Sequence, residues 1–144
     1  MLIRKAISQD IPYIVNHNLL MALETESKKL DEYTVQQAVI ADSSKGFYLV
    51  AEKEANIVGN LMITYEWSDW RNTTIWWIQS VYVSEVCRRR GVFKKLYHYV
   101  MELAKKENVK LIRLYVEKDN VGAQNTYEKL GMVSSHYLLF ETSI

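Results

Sequence analysis

The sequence predicts a mixed α+β (α/β) protein built on a central mixed sheet, on three observations. Residues 47–83 are dominated by β-branched and aromatic runs broken by short turns. Over residues 92–106 the apolar residues switch to a spacing of three or four. A nearly continuous apolar run, VKLIRLYV, then follows at 109–116. Strand, amphipathic helix and buried strand in that order imply a right-handed βαβ crossover, whereas the earlier strands pair as antiparallel neighbours.

Each element has its own justification. LIRKA (2–6) reads as a first strand, and residues 8–27 as a helix opened by Ser8 as N-cap, with Ile11, Ile14, Val15, Leu19 and Ala22 at helical spacing. DEYTVQQAVIAD (31–42) predicts a second helix. SSKG turns the chain into FYLVAEKE (47–54), and the EAN turn leads into IVGNLMITYEW (57–67), which makes a hairpin. SDWRN (68–72) is a turn before the long strand TTIWWIQSVYV (73–83). From Val92, the residues Phe93, Leu96, Tyr97, Val100, Leu103 and Ala104 form one apolar stripe, ending near Glu107 and Asn108. A last helix runs from Asn120 to Leu130 and stops at Gly131, and MVSSHYLLFE (132–141) reads as a closing strand.

The 144 residues suit one domain with its own core, and the 49% apolar and 24% charged content is that of a globular protein. A net charge of +1 argues against a dedicated nucleic-acid domain, whose affinity comes from neutralising phosphates. Cys87 is the single cysteine, which excludes an intramolecular disulfide, and with His17, His98 and His136 it makes no recognisable metal site. The N-terminal residues lack the apolar core of a signal peptide, and no run is long enough to span a bilayer; the expectation is a cytoplasmic protein without membrane insertion.

CRRRGVFKKL (87–96) gathers five basic residues around one glycine, between the end of a strand and the start of a helix. A first helical turn has free N–H groups and the positive end of the macrodipole, so it attracts anions, and glycine lets a phosphate approach the backbone. The same run is also compatible with a solvated basic helix start. In NVGAQNTYEKLGM (120–132), Asn120, Ala123 and Tyr127 share one helix face, offering an amide, a small residue and a phenol; the alternative is a packed face with Asn120 as N-cap.

With both motifs in place, the whole chain resembles the GNAT superfamily of acyl-CoA-dependent N-acyltransferases. That family's diphosphate loop, Q/R-x-x-G-x-G/A, is matched at its first four positions by Arg88, Arg89, Arg90 and Gly91, followed by Val92 and then Phe93, which departs from the usual Gly or Ala. The family's N-x-x-A-x-x-x-Y is matched by Asn120, Ala123 and Tyr127, with Gly131-Met132 after it. The resemblance implies a six- to seven-stranded sheet with about four helices, in which two parallel central strands splay apart. It also implies acetyl-CoA as co-substrate. Backbone groups at Val81, Tyr82 and Val83 would pair with the pantetheine arm, and the amides from Arg89 to Lys94 would hold the diphosphate. Asn120 would bond the arm and Ala123 would leave it room. Phe93 is then expected to pack under its helix with Leu96 and Tyr97.

The implied activity is transfer of an acetyl group to a primary amine of a small molecule or peptide. Tyr127 resembles the general acid that protonates the leaving thiolate, and a backbone N–H near Val81 would bind the thioester oxygen. Glu66 is the choice for the base, with Gln79 helping to hold a water; an exposed strand-end carboxylate is the plain alternative. Glu24 and Glu26 give the first helix acidic character that suits a cationic acceptor, although Glu24 and Lys28 at i, i+4 also make an ordinary helix pair. Alternation puts Trp76 and Trp77 on opposite faces, so that one of them, taken as Trp77, reaches the cleft or a partner subunit. HYLLFE is suited to a homodimer contact. Two other readings stand beside this one: a non-catalytic acyl-CoA sensor, and a nucleic-acid module using residues 88–95.

Overall fold

The computed structural model describes residues 1–40 and 42–144. They divide into two compact units, Met1–Leu114 and Tyr115–Ile144. The first contains β1 (Leu2–Lys5), α1 (Ile11–Glu26), α2 (Glu32–Val39), β2 (Gly46–Lys53), β3 (Asn56–Ser68), β4 (Thr73–Val83), α3 (Val92–Lys106) and β5 (Ile112–Arg113). The second contains α4 (Val121–Lys129). The sheet order is β1-β2-β3-β4-β5, antiparallel as far as β4 and parallel between β4 and β5. This is the mixed sheet that the change of hydrophobic period predicts.

The β2–β3 turn is made by Glu54 and Ala55, at φ 51° and 63°. Two successive positive φ values match the twist of the flanking strands, which is why a two-residue loop suffices. Alternation along β3 distributes its neighbours: Gly59 lies against Val92 of α3, while Asn60, the next residue, faces His17 of α1. The two helices therefore cover opposite faces of the sheet. Leu49, Val50, Leu61, Ile63, Ile75, Leu96 and Val100 fill the interior between these layers. Trp76 is buried and Trp77 only half-buried, as alternation requires.

Five expectations are corrected. Five strands form among the described residues, where six to seven were predicted, and residues 132–141 are not a strand. A strand needs ladder bonds to a partner, and within the second unit this segment forms no strand; Val133 and Phe140 are 89% and 90% exposed. Of the predicted strand 109–116, the first unit forms β5 at Ile112–Arg113, with Trp76 N–H also donating to the Leu111 carbonyl at 3.1 Å. Helix α1 begins at Ile11 and not at Ser8: Pro12 occupies its first turn, where a missing N–H is harmless, and Ser8–Asp10 is a separate tight turn. Helix α2 stops at Val39, capped at its start by Asp31, which accepts from Thr34 N–H; the predicted helix end includes Ala41, outside the described residues.

Candidate active site

The site in the first unit begins where β4 runs on past β5. The β4–β5 ladder consists of Trp76 opposite Ile112 and Trp77 opposite Arg113. Beyond Trp77, β4 continues to Val83 paired on its other side with β3. On that side Met62 faces Gln79 and Asn60 faces Tyr82, so the single residue Leu61 opposes both Ser80 and Val81. This is a β-bulge, and Ser80 sits at φ 50°, a left-handed conformation that non-glycine residues seldom take. The bulge falls within the stretch predicted to meet the pantetheine arm.

After Val83 a short turn leads to Arg88–Gly91 and into α3. Gly91 is the N-cap at φ 79°, and a Cβ placed there would meet nothing within 4 Å. The backbone is thus approachable at the first turn of α3, where the N–H groups of Val92, Phe93 and Lys94 lack intrahelical acceptors. Arg89, Arg90 and Lys94 are exposed. The Phe93 ring is half-buried and lies 6.2 Å from that of Tyr97, one turn along the helix.

Arg88 has a different employment. Its Nε donates to the Val83 carbonyl at 2.9 Å, its Nη2 donates to Glu24 Oε2 at 2.6 Å, and its guanidinium lies 5.4 Å from the centre of the Tyr82 ring. Glu24 also accepts from the Tyr82 hydroxyl at 3.4 Å. Burial, and then the Glu24 charge, push the Tyr82 phenol above its ordinary range. The Glu24–Lys28 pair does not form, because α1 ends at Glu26 and Lys28 lies beyond the helical repeat; Lys28 instead approaches Glu26 at 4.0 Å. Glu26 is exposed.

A second cluster occupies the sheet face toward the β3–β4 hairpin. Glu66 Oε1 accepts from Trp77 Nε1 at 2.8 Å, and both carboxylate oxygens accept from Arg113 Nη1, at 3.2 and 3.1 Å. Gln79 Nε2 donates to the Thr64 hydroxyl at 3.4 Å. Thus Glu66 and Gln79, paired in the sequence reading, and Trp77, chosen on other grounds, share one face of β3 and β4. Arg113 was not foreseen, since nothing in LIRLYV distinguishes a pairing arginine from a solvated one.

In the second unit, Asn120 is the N-cap of α4, its Oδ1 accepting from Ala123 N–H at 3.1 Å. Tyr127 is half-buried, and burial pushes its phenol above the ordinary range, so it keeps its proton at neutral pH. The helix closes with Gly131 at φ 96°: Gly131 N–H donates to Glu128 O and Met132 N–H to Tyr127 O. That pair of bonds is a Schellman cap, for which the left-handed glycine is required.

Sequence reasoning also passed over His17 and Asn60, which are 5% and 0% exposed and hydrogen-bonded at 2.6 Å. An asparagine amid the apolar run IVGNLMI was the available signal, because a buried amide must find partners. Among the described residues no helix is long and apolar enough to cross a membrane, and no His, Cys, Asp or Glu group is arranged to hold a metal ion.

The Acetyltransferase (GNAT) family model matches residues 13–132. The crystal structure of a "possible acetyltransferase" from Clostridium difficile 630 is 41% identical, covers 99% of this chain and 97% of its own, and superposes with a TM-score of 0.91. A predicted acetyltransferase with acetyl-CoA from Clostridium acetobutylicum shares the fold at 19% identity, over 98% of this chain and 95% of its own, with a TM-score of 0.79. So does a ribosomal-protein-alanine N-acetyltransferase from Brucella melitensis biovar Abortus 2308, at 14% identity, over 100% of both chains, with a TM-score of 0.81. No curated protein matches the sequence significantly. With a family match that spans most of the sequence and a solved relative 41% identical along almost all of it, the chain belongs to the acetyltransferase (GNAT) family.

Proposed function

We propose that residues 1–144 form one N-acetyltransferase domain that moves an acetyl group from acetyl-CoA to a primary amine of a small molecule or peptide, by direct attack in a ternary complex. The observation that carries this reading is the far end of β4, which outruns its β5 partner, bulges at Ser80–Val81 and leads into a glycine-capped helix start rich in exposed cations. A strand edge of this kind suits an amide-bearing arm, and the helix start suits a diphosphate.

Acetyl-CoA supplies an acetyl group already activated as a thioester. In this reading the backbone of Val81, Tyr82 and Val83 binds the pantetheine arm, and the Val81 N–H stabilises the charge that develops on the thioester oxygen. The Arg89–Lys94 backbone, with the Arg89 and Arg90 guanidinium groups, holds the diphosphate. Arg88 contributes by fixing the loop through Glu24. In the second unit, Asn120 and Ala123 line the path of the arm, and Tyr127, which burial keeps protonated, returns a proton to the departing thiolate.

An amine acceptor is largely protonated at neutral pH, with a pKa near ~10. Glu66 takes up that proton through water near Gln79, with Arg113 and Trp77 orienting its carboxylate. The half-buried Trp77 ring and the acidic Glu24 and Glu26 favour a cationic acceptor.

The test is calorimetric titration with acetyl-CoA, followed by thiol release across a panel of small amines and peptide N-termini. Binding and turnover are expected. Failure to bind any coenzyme A species overturns the reading. Binding without turnover identifies an acyl-CoA sensor, a reading that the internal pairing of Glu66 with Arg113 would then explain.

A further inference from the structure

The bulge in β4 is held from inside the protein. Asn60 is fully buried on β3, and both ends of its amide are used: Oδ1 receives a hydrogen bond from His17 Nδ1 at 2.6 Å, and Nδ2 donates to the Ser80 carbonyl at 3.0 Å. Burial pushes the His17 pKa down, so the ring is neutral and Nδ1 carries the proton that this bond needs. His17 is also stacked on Tyr82, ring centres 4.7 Å apart. On the same side, the Tyr48 hydroxyl accepts from Asn18 Nδ2 at 3.2 Å.

The Ser80 carbonyl and the Val81 N–H belong to one peptide group. That group is planar and trans, so its C=O and N–H point in opposite directions. A donor that fixes the carbonyl toward Asn60 therefore fixes the N–H away from Asn60. A left-handed serine does not hold such a peptide unaided, because its backbone conformation is disfavoured.

We propose that Asn60, oriented by His17, is a positioning residue that aims the Val81 N–H at the thioester oxygen by anchoring the Ser80 carbonyl. The inference rests on the acetyltransferase reading above and adds residues that touch neither substrate. Asn60→Asp preserves shape but replaces the Nδ2 donor with oxygen, which repels the Ser80 carbonyl. Asn60→Ala removes both bonds. His17→Phe keeps the stack on Tyr82 and removes only the orienting proton.

The experiment measures kcat and KM for acetyl-CoA in these variants, with folded sites counted by coenzyme A calorimetry and the Val81 amide followed by nitrogen-15 NMR in the free protein. Loss of kcat of roughly 10²-fold is expected for Asn60→Ala and Asn60→Asp, the scale of losing an oxyanion donor. KM should move by less than about threefold, the Val81 resonance should shift, and His17→Phe should show a smaller loss in the same direction. A merely structural role would lower the number of folded sites and leave kcat per site unchanged. Such a result, or a lowered kcat with an unmoved Val81 resonance, overturns the proposal. If Asn60→Ala does not fold, Asn60→Asp and His17→Phe decide by the same readouts. A wild-type protein inactive toward every acceptor overturns the acetyltransferase reading and this inference with it, whereas an active wild type with equally active variants overturns the inference alone.

Discussion

Arg88 Nη2 lies 2.6 Å from Glu24 Oε2, so the first of three consecutive arginines is bound to the end of α1 and not directed outward with its two neighbours. The run RRRG thus divides into one residue that shapes the loop and two that present charge.

This division predicts unequal effects on coenzyme A binding. Arg89→Ala combined with Arg90→Ala should raise the Kd about 10-fold or more, since a hydrogen bond to a charged group is worth roughly 1.5–3 kcal/mol. The loss should shrink as salt is added. Glu24→Gln should change the Kd by less than about threefold. It should change stability by less than about 1 kcal/mol, because the Glu24 and Arg88 side chains are 38% and 41% exposed. Calorimetry at two salt concentrations and urea unfolding check both statements.

Tyr127→Phe should lower kcat by about 10²-fold or more and leave acetyl-CoA affinity within about twofold, as expected for a group that acts on the leaving thiolate. Burial raises the Tyr127 pKa, so the stabilisation it reports is present below the unfolded value of about 10 and is lost as pH rises through the folded one. The rate should therefore show no alkaline loss from Tyr127 below about pH 9.5. A pH–rate profile of wild type and variant is the measurement.

Acid stability should depend on Arg4 and Asp10. The Asp10 carboxylate is 4% exposed and accepts from Arg4 at 2.7 and 3.0 Å and from Ile7 N–H at 2.8 Å. The Arg4 bond, and secondarily the Ile7 N–H, hold its pKa below the ordinary carboxylate range. A depressed pKa contributes stability that is present above the unfolded value, near 3.9, and lost as pH falls through the folded one. Arg4→Ala leaves a buried carboxylate without its partner and should cost about 3 kcal/mol at neutral pH. Thermal unfolding between neutral and acid pH should show the gap between wild type and variant closing as the medium is acidified.

Gly46→Ala should be strongly destabilising. Gly46 has φ 150°, and an added Cβ would sit 2.0 Å from the Ile63 carbonyl oxygen across the β2–β3 ladder. Relief requires the strands to separate or slip at their first pair, at a cost of about 3 kcal/mol or more. Urea denaturation of the variant gives the value; an unchanged midpoint would show that the strand end yields without penalty.

What was legible in the sequence was what depends on local period. The apolar stripe from Val92 to Ala104 is α3, the TTIWWIQSVYV run is β4, and Gly131 ends α4 where a left-handed residue is needed. What was not legible depends on pairing between distant segments. VKLIRLYV has the apolar density of a buried strand, yet in the first unit its ladder with β4 is the short one of Ile112 and Arg113. HYLLFE has strand-like composition but forms no strand within the second unit. The bulge at Ser80–Val81 is a mismatch in residue count between β3 and β4, visible only once Met62 and Asn60 are matched to Gln79 and Tyr82. The Glu66–Arg113 and Arg88–Glu24 pairs join residues 47 and 64 positions apart, beyond any periodic pattern.

The divergence of β4 from β5 also bears on how this protein can change. From Ile78 to Val83 the groups suited to gripping a ligand's amides are main-chain N–H and C=O, which every amino acid except proline carries in full. Ordinary point substitutions cannot delete them, so the donor recognition proposed for this edge is buffered against mutational drift. Acceptor preference, which the proposed function assigns to side chains such as Trp77, Gln79 and Glu66, has no such protection. Directed evolution of this scaffold should therefore yield new acceptors readily while the donor stays the same.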